Sequence, residues 1–239
     1  MAWFLSYILS VGLSLLVGYG LLVKAMGQSA ARRQMSHALP WIVLGFAIAF
    51  TSAFTAVWKQ SVWSFIHLAY IISVSLWLLI WPVRKRKAGS LQLNVGRTWH
   101  NRMLFWIGIA EFAIAAMITW IAWLTLTEVA NSSIEVAQLS LKVAFWWVLA
   151  AFIFALGLNK LELRDNGLCF LYNFIPWQRM KSYTWDTNYP NILVIQIHPR
   201  FVFLPASMNI RVPEQHRDAI DRVVQTYIPC SPPDSLALS

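Results

Sequence analysis

The chain has 239 residues, of which 58% are hydrophobic and 12% charged, with a formal net charge of +9. Soluble domains carry about 25% charged residues, so this composition, with a mean hydropathy of +0.55, excludes an ordinary soluble protein. It also excludes disorder, which needs low hydrophobicity, and two cysteines, Cys169 and Cys230, are too few for a disulfide scaffold.

A helix needs about 20 mostly apolar residues to cross a bilayer. Five stretches qualify: Trp3 to Val23, Trp41 to Trp58, Val62 to Val83, Met103 to Leu126 and Leu139 to Leu158. Lys24 closes the first, Pro40 opens the second, and Lys59 with Gln60 leads tightly into the third, which ends at Pro82 and the run Arg84-Lys85-Arg86-Lys87. The expected architecture is an α-helical membrane protein of about five transmembrane helices (1–158), followed by a small α+β domain (159–228) and a flexible tail (229–239).

Cytoplasmic loops are enriched in Lys and Arg. Lys24, Arg32 and Arg33 lie in the first loop, and Arg84, Lys85, Arg86, Lys87, Arg97 and Arg102 in the third; neither loop has an acidic residue. The opposite connections hold Lys59, and Glu128 with Glu135. Five crossings then place the N-terminus outside or lumenal and everything after Leu158 in the cytoplasm. From Asn159 onward, eight basic residues face seven acidic ones, so the excess charge marks topology rather than nucleic-acid binding. Arg84, Lys85, Arg86 and Lys87 are the candidate contact with membrane lipids, since cations near anionic headgroups gain about 1 kcal/mol each.

After Leu158 the apolar period shortens to two, the mark of strands. Leu161 to Arg164 alternates, and Asp165-Asn166-Gly167 carries the Asn-Gly pair of tight hairpins. Leu168, Phe170, Tyr172 and Phe174 share one face of a second strand. Further strands are expected at Met180 to Trp185, Ile192 to His198, Phe201 to Leu204 and Asn209 to Val212. Pro213 opens a helix whose apolar stripe is Ile220, Val223, Val224, Tyr227 and Ile228. About 70 residues is near the lower limit for an independent core, so the domain needs support from the membrane, the basic loop or a partner.

The order Leu161 to Gly167, then Ile175-Pro176-Trp177, then Ser182-Tyr183-Thr184-Trp185, two strands, a short strand ending Val212-Pro213 and a terminal helix resembles bacterial pleckstrin-homology-like domains attached to membrane helices. It is most similar to an uncharacterised group common in cyanobacteria. The resemblance covers about 70 of the 239 residues. It implies a bent antiparallel sheet capped by the terminal helix, and a plasma or thylakoid membrane, but no chemistry.

Glu111 is the one acidic residue deep in an apolar segment, where ionisation is costly unless it faces protein or water. It is the candidate for ion or proton handling, against a carboxyl hydrogen-bonded to Thr51, Ser52, Thr55, Ser73 or Ser75. His67 is a candidate haem or pigment ligand, against a helix-packing histidine. Small residues at Ala110, Ala113 and Ala116 could let helices approach closely. Tryptophans such as Trp58, Trp63, Trp81 and Trp99 suit the interfacial belt. Trp177, Tyr183 and Trp185 are the candidate contact surface of the domain. No phosphate loop, dinucleotide fingerprint, zinc-ligand pair or zinc-protease motif is found.

The expectation is a non-enzymatic protein, without cofactor or metal, that presents its domain for protein or lipid contact and assembles or regulates a membrane complex with a membrane-protein partner. The alternatives are a small transporter or ion-coupled permease using Glu111, and a pigment- or haem-binding subunit.

Overall fold

The computed structural model describes residues 12, 16–23, 28, 31–32, 35, 60–128, 133–187, 189–198 and 207–229. Among them are four helices of the apolar part: α1 (Gln60–Leu79), α2 (Trp81–Lys87), α3 (Trp99–Glu128) and α4 (Ser133–Leu158). Pro82 has no amide hydrogen to bond back along the helix, which accounts for the break between α1 and α2. The chain nevertheless continues as one apolar span, Val62–Lys87, with Trp99–Thr127 and Ser133–Leu158 as two more. At about 1.5 Å per residue, each exceeds the roughly 30 Å of a hydrocarbon core.

α3 and α4 run antiparallel. Gly108 lies against the backbone of Phe154, and Gly157 against that of Phe105. The Phe105 and Phe154 rings sit 5.1 Å apart, Asn101 Nδ2 donates to the Leu156 carbonyl at 2.9 Å, and Trp147 Nε1 donates to Thr119 Oγ1 at 2.9 Å. The close approach thus uses glycines, whereas Ala110, Ala113 and Ala116, expected at a helix contact, are exposed among the described residues. α1 lies parallel to α4, with His67 4.8 Å and Tyr70 5.0 Å from the Phe145 ring, and Trp77 5.5 Å from Phe152.

The second compact unit includes residues 83–100 together with those after 158. Its first sheet is antiparallel in the order β1 (Leu91–Gly96), β2 (Leu161–Arg164), β3 (Gly167–Phe170), β4 (Asn173–Pro176). A one-turn 3-10 helix, Trp177–Arg179, leads to a second antiparallel sheet of β5 (Met180–Trp185), β6 (Ile192–Ile197) and β7 (Ser207–Arg211). Helix α5 (Arg217–Gln225) follows, its buried Ile220 and Val224 joining Leu161, Leu163, Leu168, Tyr183, Leu193, Ile195 and Ile210 in one core. The domain therefore extends beyond residues 159–228. β1 precedes α3 in the chain, and Gly96, its last residue, is the register partner of Leu161, where the chain returns after α4. Two apolar helices are inserted between neighbouring strands.

The turns depart from the sequence reading. Arg164 pairs with Gly167, so the two-residue turn is Asp165-Asn166, and neither has positive φ. Gly167 follows it at φ 158°, against the carbonyl of Ile175, where a Cβ would collide. The turn with both central residues in the left-handed region is Leu171-Tyr172 (φ 48° and 58°), with Phe170 paired to Asn173. It splits the expected single strand through Leu168 to Phe174 into β3 and β4.

Of the five expected crossings, three are found among the described residues. Trp41 to Trp58 lies outside them. Trp3 to Val23 is described only at 12 and 16–23, where Tyr19, Leu22 and Val23 lie with Ala31 against Ile192 and Val194 of β6. Leu16, Val17 and Leu21 of the same stretch are exposed. Phe201 to Leu204 and the tail beyond Pro229 also lie outside the described residues.

Candidate functional site

The densest polar cluster of the β domain joins the basic run to the β2–β3 hairpin. Glu162 is 8% exposed. Its Oε1 accepts from Lys85 Nζ at 2.7 Å, and its Oε2 accepts from Arg164 Nε at 2.9 Å and Nη2 at 2.8 Å. Burial by itself would raise the carboxyl; hydrogen bonds from the two cations outweigh this and hold it below its ordinary value. Arg164 Nη1 also donates to the Gly89 carbonyl at 2.8 Å. Gly89 has φ 84°, which lets the chain turn sharply out of α2 toward β1.

The hairpin turn grips the same segment. Asp165 Oδ2 accepts from the Ser90 hydroxyl and amide, and Oδ1 from Gln92 Nε2 at 2.9 Å. The Ser90 hydroxyl leads these bonds in lowering the Asp165 carboxyl. Asn166 Nδ2 donates to the Lys87 carbonyl at 3.0 Å, and its amide to the Ala88 carbonyl at 3.0 Å. Gln92 Nε2 reaches Tyr227 Oη at 2.7 Å, whose ring stacks on Trp177 at 4.8 Å and 4°. The C-terminal end of α2, β1, the β2–β3 turn and the end of α5 form one connected latch.

This divides the basic run. Lys85 is engaged in the latch and Arg84 is half-buried, while Arg86 and Lys87 are exposed. Of the expected contact surface, Trp177 is 4% and Tyr183 1% exposed, so both belong to the core. Trp177 Nε1 donates to the Arg164 and Asp165 carbonyls at 3.1 and 3.0 Å. Tyr183 Oη donates to Asp221 Oδ1 at 2.8 Å, and Trp185 Nε1 donates to the same oxygen at 3.0 Å. Trp185 alone of the three is half-buried, with the Arg217 guanidinium 5.2 Å over its ring. Tyr183 and Trp185 share one face of β5 and Trp177 lies in the 3-10 helix before it; only the position of α5 reveals what covers them. Ser90 and Gln92 carried no motif, the alternation Leu91, Leu93, Val95 being the one sequence signal there, and Asp165 stood out only as the start of the Asp-Asn-Gly turn.

In the apolar unit, His67 is buried against Phe145. Among the described residues no group of His, Cys, Asp and Glu could hold a metal ion. Glu111 is half-buried, and its Oε2 has no hydrogen-bond partner among the described residues. Neither Ser73 nor Ser75 is bonded to that oxygen; Thr51, Ser52 and Thr55 lie outside the described residues. Cys169 is buried in β3, which raises its thiol to about 11 and keeps it protonated.

Three long apolar helices and a small antiparallel β domain closed by a short helix define the class: a multi-pass integral membrane protein with a folded C-terminal domain. Residues 159–229 match the family described as Domain of unknown function (DUF5673). No curated protein and no solved structure matches the chain.

Proposed function

We propose that the chain is a non-enzymatic membrane protein that holds a pleckstrin-homology-like domain against the cytoplasmic membrane surface for contact with a membrane-protein partner or lipid, in the assembly or regulation of a membrane complex. The latch carries this reading: Lys85, Ser90 and Gln92, adjacent to a membrane span, are bonded to Glu162, Asp165 and Tyr227 of the domain. A domain that takes in the segment directly following a membrane span suits a docking platform. Sheets of four and three antiparallel strands closed by a C-terminal helix support the pleckstrin-homology-like assignment. The cations of the third loop, with no acidic residue among them, support a cytoplasmic position.

The test is quantitative co-purification in mild detergent, comparing the full chain with one lacking residues 159–228. A near-stoichiometric partner lost on the deletion is expected. Equal recovery with both chains, or no accompanying protein, overturns docking through the domain.

One observation favours a second reading, an ion-coupled permease: Glu111 Oε2 is buried without a partner among the described residues. Proton-coupled flux in proteoliposomes that is abolished by Glu111→Gln supports it. Flux unaffected by that change refutes it.

A further inference from the structure

The path of the chain restricts where the outer edge of the first sheet can lie. β1 joins two apolar spans: Lys87 ends α2 three residues before Leu91, and Trp99 starts α3 after two residues beyond Gly96. Links this short reach about 10 Å at most. Both ends of this six-residue strand are therefore a short link away from an apolar span. β1 is also the outer strand of its sheet, so one row of its backbone donors and acceptors faces whatever lies alongside. Leu91, at its start, is 49% exposed.

Three exposed cations stand around this edge, against the Asp165 carboxylate that bonds Ser90 and Gln92. Val83, Arg86 and Lys87 are exposed and share one face of α2 at positions i, i+3 and i+4. An apolar face passes there into a cationic one within a single turn, the pattern of stems lying along hydrocarbon with charges in the headgroup layer. Lys85 points instead to Glu162. Lys160, also exposed, precedes Leu161, the register partner of Gly96 at the other end of β1. The nearby carboxylates are engaged, Glu162 by Lys85 and Arg164, and Asp165 by Ser90 and Gln92.

We propose that the β1 edge, with Arg86, Lys87 and Lys160, is a docking surface for anionic phospholipid headgroups, with Leu91 seated in the interfacial layer. The proposal deepens the lipid half of the reading above and does not require a protein partner.

The test uses the full chain with Leu91→Cys and Cys230→Ser, labelled with an environment-sensitive fluorophore; buried Cys169 serves as the control for background labelling. The protein is placed in nanodiscs of phosphatidylcholine, alone or mixed with phosphatidylglycerol. Quenching by headgroup-labelled lipid is compared with quenching by acrylamide in the water. Each cation near an anionic surface is worth about fivefold in the equilibrium, so three together amount to about a hundredfold. The label should be quenched by lipid and shielded from acrylamide in the anionic discs. High salt, or Arg86→Gln, Lys87→Gln and Lys160→Gln combined, should return it to the level in neutral discs. Arg222→Gln on α5 should change nothing. Equal acrylamide quenching in both lipid mixtures, or no response to salt, overturns the proposal. If the triple variant fails to fold, the lipid and salt comparisons on the parent decide. Lipid-dependent seating without any co-purifying protein would separate this surface from the docking reading.

Discussion

The split β domain makes a sharp prediction: residues 159–239, which include the whole stretch matching the family, should not fold alone, because they lack β1. In the intact chain Val95 is 3% exposed and Leu93 is packed against the same core. Burying a valine is worth about 2 kcal/mol and a partly buried leucine about half that. The four register pairs between β1 and β2 add roughly 1 kcal/mol each in net hydrogen bonding. About 7 kcal/mol is thus missing, comparable with the whole stability of many small domains, about 5–15 kcal/mol. Since Gly96 and Leu161 are partners, a two-residue Asn-Gly turn can replace the inserted helices, joining 83–96 directly to 161–229. Thermal melts followed by tryptophan fluorescence, with amide proton dispersion by NMR, should show no cooperative transition for 159–239 and a sharp one for the fused chain. A cooperative melt and dispersed spectrum for 159–239 would refute the assignment of β1 to the core.

Other consequences can be checked on the full chain. Glu162→Gln should destabilise the β domain by about 2–3 kcal/mol: it leaves the half-buried Arg164 with a weakened partner, while the Lys85 arm, with its side chain 36% exposed, contributes little. Tryptophan fluorescence in a denaturant titration measures this, and a change below about 0.5 kcal/mol would count against the latch. Both Glu162 and Asp165 titrate below their ordinary values in the folded chain. Their contribution is complete above the unfolded carboxylate pKa of about 4 and is lost as pH falls through the lowered values, so the unfolding midpoint should drop in that range, less steeply in Glu162→Gln. Gly157→Ala places a methyl group in the Phe105 backbone and should cost about 2–3 kcal/mol of helix-pair stability, read as detergent thermostability. Gly20→Ala, with nothing within 4 Å, is the comparison that should be silent on this count.

Much of this was legible in the residues. Three apolar runs are helices, β5 occupies Met180–Trp185 as its alternation indicates, and Ile220, Val224 and Ile228 are the buried stripe of the terminal segment. β1 was missed although Leu91, Leu93 and Val95 alternate, because its partner lies beyond two membrane helices and short strands declare themselves through a neighbour. The Asn-Gly pair signalled a hairpin correctly but one residue late. The left-handed turn went unseen because Leu171 and Tyr172 carry no preference for positive φ. Tyr183 looked like a contact residue because alternation assigns residues to faces without saying which face α5 covers, and Trp177 because the stack of Tyr227 on it comes from 50 positions further along the chain. The latch was half visible: Arg84 to Lys87 stood out as charge, while the division between Lys85 and its neighbours depends on Glu162, some 77 positions away.

The insertion of α3 and α4 between paired strands also has a consequence for biogenesis. β1 leaves the ribosome well before β2, and at about 5–20 residues per second it waits several seconds unpaired while the two helices enter the bilayer. β2 can reach it only if the hairpin has crossed and returned, bringing Leu161 to the same side as Gly96. A helix pair inserted with the wrong number of crossings would strand the two edges on opposite faces of the membrane, leaving β1 without its partner. Closure of the sheet is thus a built-in check on insertion, and chains that fail it would expose an unpaired apolar strand to the cell's quality control.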